Sequence, residues 1–155
     1  MKYFEDFSPG ETEVKNGWPL TEADIIEYAR QWDPQPQHVD PEAARALPLG
    51  GLIAAGTHLL SLCVRLLVTG AERIAVIAAM GWDEVRFLEP ARPGDLLTLS
   101  RRCLEARPSA SKPDRGIVRN EIILANQHGR PVLRLVDTIL VRRRPEEKCA
   151  EEAPA

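Results

Sequence analysis

Residues 52–68 read LIAAGTHLLSLCVRLLV, and how this stretch folds decides the architecture. It is the most apolar window of the chain. His58 and Arg65 interrupt it, and it falls short of the roughly 20 residues that a membrane span needs. From Thr57 to Thr69 it is apolar almost all round, so a helix here is expected to be buried on most of its faces. Leu47-Pro48-Leu49-Gly50-Gly51 breaks the chain just before it.

A helix buried on most faces needs an apolar surface to wrap it, and the second half of the chain supplies one. Residues 74–90, 95–109, 116–127 and 131–144 are four strand candidates. Their separators (PARPGD, PSASKPDRG and NQHGRP) are rich in turn residues. LTLSRRCLEA and IVRNEIILA alternate apolar and polar residues, as half-buried antiparallel strands do. NQHG between two such runs reads as a hairpin turn, with His128 exposed. The expected fold is α+β: a curved antiparallel sheet, built as a four-strand meander, around one central helix.

The first half is more varied. Residues 1–19 carry turn signals around short strand-like pieces. TEADIIEYARQW predicts an amphipathic helix, because Thr21 with Asp24 forms a capping box and Ile25, Ile26, Ala29 and Trp32 recur at helical spacing. The helix stops at Asp33-Pro34, since a residue before proline disfavours the helical region. Asp40-Pro41-Glu42 then combines an N-cap, a first-position proline and an acid in the first turn of a second helix.

Between these helices lies WDPQPQHVDPEAA, residues 32–44. Asp40 is explained by its capping role. Asp33 is not, because a negative charge at a helix C-terminus is disfavoured by the helix dipole. His38 has no evident local job either. Pro34 and Pro36 fix their own φ angles and push Asp33 and Gln35 toward extended backbone. A loop stiffened in this way can hold a carboxylate and an imidazole together as an acid–base pair. Gly56 and Thr57 open the apolar helix, where free backbone N–H groups carry the positive end of the dipole. A glycine there lets a ligand approach the backbone, which is how an oxyanion hole is made, although the same pair also reads as a plain helix start.

Composition removes other classes. The 155 residues suit one domain, with 44% apolar and 28% charged residues and a net charge of −3. No basic footprint of a nucleic-acid binder is present. The run Arg142-Arg143-Arg144 is followed by an acidic tail and reads as the solvated end of a strand. Cys63, Cys103 and Cys149 form no metal or disulfide pattern, so no metal site is expected and a reducing cytoplasm is. The opening residues MKYFEDFSPGE lack an apolar stretch, so no signal peptide is expected. The domain is expected over residues 1–144, with a disordered tail at 145–155.

DPQPQHVD followed by GGLIAAG resembles the MaoC-like hydratases of the hot-dog fold, whose motif is D-x-N-P-x-H and then a Gly-containing helix start. VRFLEPARPGD resembles the V-x-F-x-x-P-x-x-x-G-D segment of the same family. The resemblance covers about residues 4–144. It implies a hot-dog domain and reversible addition of water to a 2-enoyl thioester, giving a 3-hydroxyacyl thioester. Coenzyme A would enter as part of the substrate, without a separate cofactor. Asp33 and His38 take the family's catalytic positions, and the Gly56 N–H its oxyanion hole. Gln35 stands where the family has Asn. A serine that some members carry on the helix has no clear match, with Val64 near that place and Ser61 one turn away.

Gln35, Ala55, Thr57 and His58 are possible pocket residues, although His58 reads as well as a core histidine. Trp82 and Phe87 read as packing residues. Arg86, Lys112 and Arg115 are candidates for the phosphates of coenzyme A. The resemblance also implies a homodimer or larger homo-oligomer, with no nucleic-acid or membrane partner. A hot-dog thioesterase is the rival enzyme, but residues 57–69 contain no Asp or Glu to serve it. A non-catalytic acyl-thioester binding subunit is the other alternative.

Overall fold

The computed structural model describes residues 1–69 and 72–145. Most of the expected tail, Cys149 included, lies outside the described residues. A single 3-10 turn (Phe4–Asp6) leads into β1 (Thr12–Pro19) and α1 (Glu22–Trp32). Two short helices follow, α2 (Pro36–Val39) and α3 (Pro41–Ala46), and then the central helix α4 (Gly56–Val68). The strands β2 (Val76–Phe87), β3 (Leu96–Pro108), β4 (Arg115–Ala125) and β5 (Pro131–Arg142) complete the chain.

All five strands form one antiparallel sheet in the order β1-β3-β4-β5-β2. The sheet curves around α4, which is the hot-dog arrangement. The four-strand meander is corrected in one respect. β3, β4 and β5 are sequential neighbours, but β2 pairs with β5 at the far edge. The segment after β2 carries the chain across. Ala91 O accepts from Ala54 N just before α4, and Asp95 O accepts from Leu20 N beside β1. These contacts lay β3 against β1 instead of β2. Local alternation cannot reveal such a crossover, because it reports a strand's faces and not its neighbours.

The core lies between α4 and the inner face of the sheet. Leu59, Leu62, Cys63 and Leu66 pack against Leu97, Leu99, Ile122, Leu124, Leu133 and Leu135. Each fully buried Leu contributes about 1.5–3 kcal/mol. Burial pushes the Cys63 thiol up to about 12, so it packs and does not react.

Burial of α4 on most faces is also corrected. Its buried residues are confined to one side, while Val64 and Val68 are 41% and 66% exposed. The strand β2 is exposed along nearly all its length. In a single chain, this leaves an open apolar stripe of α4 beside an open apolar edge strand. Trp82 and Phe87 belong to that exposed surface and not to the core.

The helix signals act as their chemistry requires. Thr21 Oγ1 accepts from Asp24 N while Asp24 reaches back to Thr21 N. Asp40 Oδ1 accepts from Glu42 N at 3.0 Å and Ala43 N at 3.1 Å. The three arginines end β5 and run beyond it. Arg143 and Arg144 clamp Glu5 and Asp6 of the first turn at 2.8 and 2.7 Å.

Candidate functional site

Asp33 is the C-cap of α1 and His38 lies one turn into α2. The stretch from Pro36 is therefore helical and not an extended loop, with Pro36 at the first helical position, where its missing N–H costs nothing. This turn directs His38 inward, and it is 6% exposed.

His38 Nδ1 lies 2.8 Å from the carbonyl oxygen of Ile53. A carbonyl can only accept, so Nδ1 carries a hydrogen. Nε2 then faces Asp33 Oδ2 at 3.7 Å. The other oxygen of Asp33, Oδ1, accepts from Gln35 Nε2 at 2.7 Å. Gln37 Nε2 in turn donates to Gln35 Oε1 at 2.9 Å. Each side chain of the pair thus has one atom anchored and one turned toward the other. The separation of 3.7 Å exceeds a direct hydrogen bond, and both atoms can engage one polar group placed beside them.

The segment that anchors His38 also sets the start of α4. Ile53 N donates to Gln37 O at 3.1 Å, so residues 37–38 and residue 53 are bonded reciprocally. Ala54 N donates to Ala91 O, and Arg92 Nη2 donates to Leu49 O at 2.6 Å. Three residues after Ile53, Gly56 begins the helix. Its N–H, like those of Thr57 and His58, has no hydrogen-bond acceptor among the described residues. These groups make the α4 N-terminus a donor site for developing negative charge.

Gly56 is closely covered. A Cβ built there would fall 2.6 Å from the Phe87 ring. The Phe87 ring is itself 55% exposed. It forms an exposed apolar wall over the helix start.

The other sequence candidates separate. Ala55 is the buried N-cap of α4, and Thr57 points to solvent. His58 stacks on Tyr28 of α1, with ring centroids 4.4 Å apart. Burial pushes its pKa below the ordinary value, while the Asp24 carboxylate opposes this. Ser61 Oγ donates to Thr57 O and meets the Tyr28 hydroxyl at 3.1 Å. His58 and Ser61 thus belong to the α1–α4 contact. Arg115 is held by Asp114 and sits at the start of β4, level with Arg142 of β5. That is the end of the sheet opposite Phe87, so Arg115 and neighbouring Lys112 are remote from Gly56. Arg86, next to Phe87, is exposed, and the only hydrogen bond its guanidinium makes among the described residues is to its neighbour Val85 O.

Reading the sequence missed two parts of this site: the Ile53 carbonyl that orients His38, and the Phe87 ring over Gly56. Neither has a local signature, since any residue supplies a carbonyl and β2 meets α4 only through the fold.

Comparison with known proteins agrees on one family. Residues 6–126 match the model of the MaoC like domain. The chain is 36% identical to Protein MaoC of Klebsiella aerogenes over 103 residues, which is 66% of this chain and 30% of that protein. It therefore spans less than a third of that relative. The crystal structure of a MaoC-like dehydratase from Rhodospirillum rubrum superposes with a TM-score of 0.87 at 37% identity, covering 92% of this chain and 98% of the other. R-hydratase PhaJ1 of Pseudomonas aeruginosa superposes with a TM-score of 0.75 at 22% identity, covering 99% and 94%, which is a likeness of fold.

Proposed function

The chain belongs to the MaoC-like domain family, and from that premise we propose that it reversibly hydrates a 2-enoyl thioester of coenzyme A. The observation that carries the reading is the facing pair of His38 Nε2 and Asp33 Oδ2, 3.7 Å apart, each fixed from behind.

A water between these atoms is held by both. Asp33 accepts one proton of the water as its oxygen attacks C3 of the enoyl group. The C2–C3 π electrons move toward the thioester, and negative charge develops on its oxygen. The Gly56 N–H stabilises that enolate. His38 Nε2, which carries no hydrogen, accepts from the other O–H of the water and holds it in place, and the proton taken up by Asp33 passes to C2, which completes the 3-hydroxyacyl thioester. One C–O and one C–H bond form, one O–H bond of water breaks, and no electrons are lost. The chemistry needs an acid–base pair and an oxyanion donor, and these residues are of those kinds. Arg86 is the cation proposed to meet the phosphates of coenzyme A.

The active unit is proposed to be a homodimer. The edge strand β2 exposes Val76, Ile77, Met80, Trp82 and Phe87, and the adjacent face of α4 exposes Val64 and Val68. An exposed apolar edge of this length is stable in water only when covered, and a second copy covers it with an identical strand.

The deciding experiment follows the loss of enoyl absorbance from crotonyl-CoA and longer 2-enoyl-CoAs. Turnover by the wild type and its loss in Asp33→Asn is the expected result. Release of free thiol instead would mean a thioesterase, and binding without turnover would mean a carrier subunit.

A further inference from the structure

The inner face of the sheet carries apolar residues on β3, β4 and β5 except at one place. Asn120, Asp137 and Arg101 are 0%, 6% and 4% exposed there. Asn120 on β4 sits directly opposite Asp137 on β5, which sits opposite Trp82 on β2. Arg101 of β3 lies one inward position from Cys103, which faces Asn120 from the other side. These residues line a cavity of about 400 Å³ whose remaining walls include Val64 and Leu67 of α4 and Ala79 of β2. That volume is within the range of small-molecule pockets.

The polar atoms in this cavity are unspent. Both the Nδ2 and Oδ1 of Asn120, and the Nη1 of Arg101, are buried without a hydrogen-bond partner among the described residues. Arg101 uses its Nη2 on Glu13, so its charge is neutralised while one fork of its donors stays free. Burial raises the pKa of Asp137, against the lowering influence of Trp82, Asn120 and Arg101, so its carboxyl can hold a proton more readily than an exposed one. A buried polar group left unpaired is destabilising, and a ligand group that pairs it removes that cost. A hydroxyl or carboxyl group reaching this end of the cavity would be offered the unpaired donors of Arg101 and Asn120 and the unpaired acceptor of Asn120.

The cavity also lies along the stripe of α4 that begins at Gly56. Gly56, Leu60, Val64 and Leu67 recur at i, i+4, i+8 and i+11, which is one stripe of α4. Gly56 faces Phe87 at one end of β2, and Val64 and Leu67 share the cavity with Trp82 and Ala79 nearer its other end. From Gly56 to Val64 the helix rises about 12 Å. A thioester seated on the Gly56 N–H can therefore extend a medium-length acyl chain between α4 and β2 to the polar patch.

We infer that the acyl group of the substrate ends in an oxygen function, a hydroxyl or a carboxyl, received by Arg101, Asn120 and Asp137. This rests on the hydratase reading only in placing the thioester at Gly56.

Titration calorimetry of the full chain with octanoyl-CoA, ω-hydroxyoctanoyl-CoA and suberyl-CoA tests it, because saturated thioesters bind without being hydrated. At least one oxygen-ended thioester should bind about tenfold or more tightly than octanoyl-CoA, a difference of about 1.4 kcal/mol. Preference for the hydroxyl identifies a neutral end group; preference for suberyl identifies a carboxyl drawn by Arg101. Asn120→Leu removes an unpaired buried amide, so it should fold, and it should bring the ratio close to one. Equal or tighter binding of octanoyl-CoA by the wild type would overturn the inference. So would an unchanged ratio in Asn120→Leu, or no binding of any of the three. Crotonyl-CoA hydration is measured separately. If it fails while the oxygen-ended preference holds, the hydratase reading falls and the pocket stands.

Discussion

His38 Nδ1 donates to the carbonyl oxygen of Ile53 across 2.8 Å, and this bond ties the acid–base loop to the segment that opens α4. Under the proposed reaction the imidazole is both a participant in chemistry and a structural pin. His38→Ala should therefore lose turnover and also leave the Ile53 carbonyl without its partner. Urea unfolding should register a loss of about 1–3 kcal/mol. Unchanged stability would show that the carbonyl finds another donor.

Asp33 and Asp40 should behave oppositely when each is changed to Asn. Asp33→Asn should keep the fold, because among the described residues its carboxylate accepts a hydrogen bond from Gln35 alone, and should lower kcat by about 100-fold or more. Asp40→Asn keeps a good cap for α3 and should stay within about twofold of wild-type activity. Steady-state kinetics on one enoyl-CoA separates the two.

Gly56→Ala and Gly116→Ala place a methyl group against a phenyl ring in both cases, with different expected outcomes. At Gly56 the ring is that of Phe87, met at its far edge and exposed in the single chain, so it can swing away. Stability should be nearly unchanged, while kcat/KM falls because the methyl group occupies the approach to the N–H. At Gly116 the ring belongs to Phe4, 8% exposed and only 2.2 Å from the new Cβ position. Overpacking there should cost about 1–3 kcal/mol. Thermal unfolding and kinetics on both variants check the contrast.

Acid should weaken the fold through His58. Burial holds its folded pKa below the ordinary 6.5, so the unfolded chain takes up a proton first as pH falls. Its contribution is present above 6.5 and is lost as pH falls through that value and on to the lower folded one. His58→Phe keeps an aromatic partner for Tyr28 and removes the titration. Urea midpoints between about pH 7.5 and 5 should therefore slope less in the variant than in the wild type.

Met80 stands on the exposed edge strand at 56% exposure. The proposed homodimer predicts that the wild type sediments as a dimer and Met80→Lys as a folded monomer, because a charged edge resists pairing. Two equal dimers would mean that association uses another surface, and two equal monomers would overturn the homodimer.

Much of this molecule is determined by the chain read alone. Thr21 with Asp24, and Asp40 with Pro41, announce helix starts because capping acts within three residues. The alternation along β3, β4 and β5 and the turn at residues 126–129 declare the hairpins for the same reason: each is a local preference. The motif around Asp33, His38 and Gly56 is legible as a pattern of residue types. The tertiary structure alone decided the rest. It sent β2 to the far side of β5, turned one face of α4 outward, set Ile53 behind His38 and laid Phe87 over Gly56. It also brought Arg101, Asn120 and Asp137, from three strands, to one cavity. Polar residues at inward positions look like ordinary interruptions in each strand. Only strand pairing in the folded register makes them neighbours, because register is set by the packing of whole faces and not by any single segment.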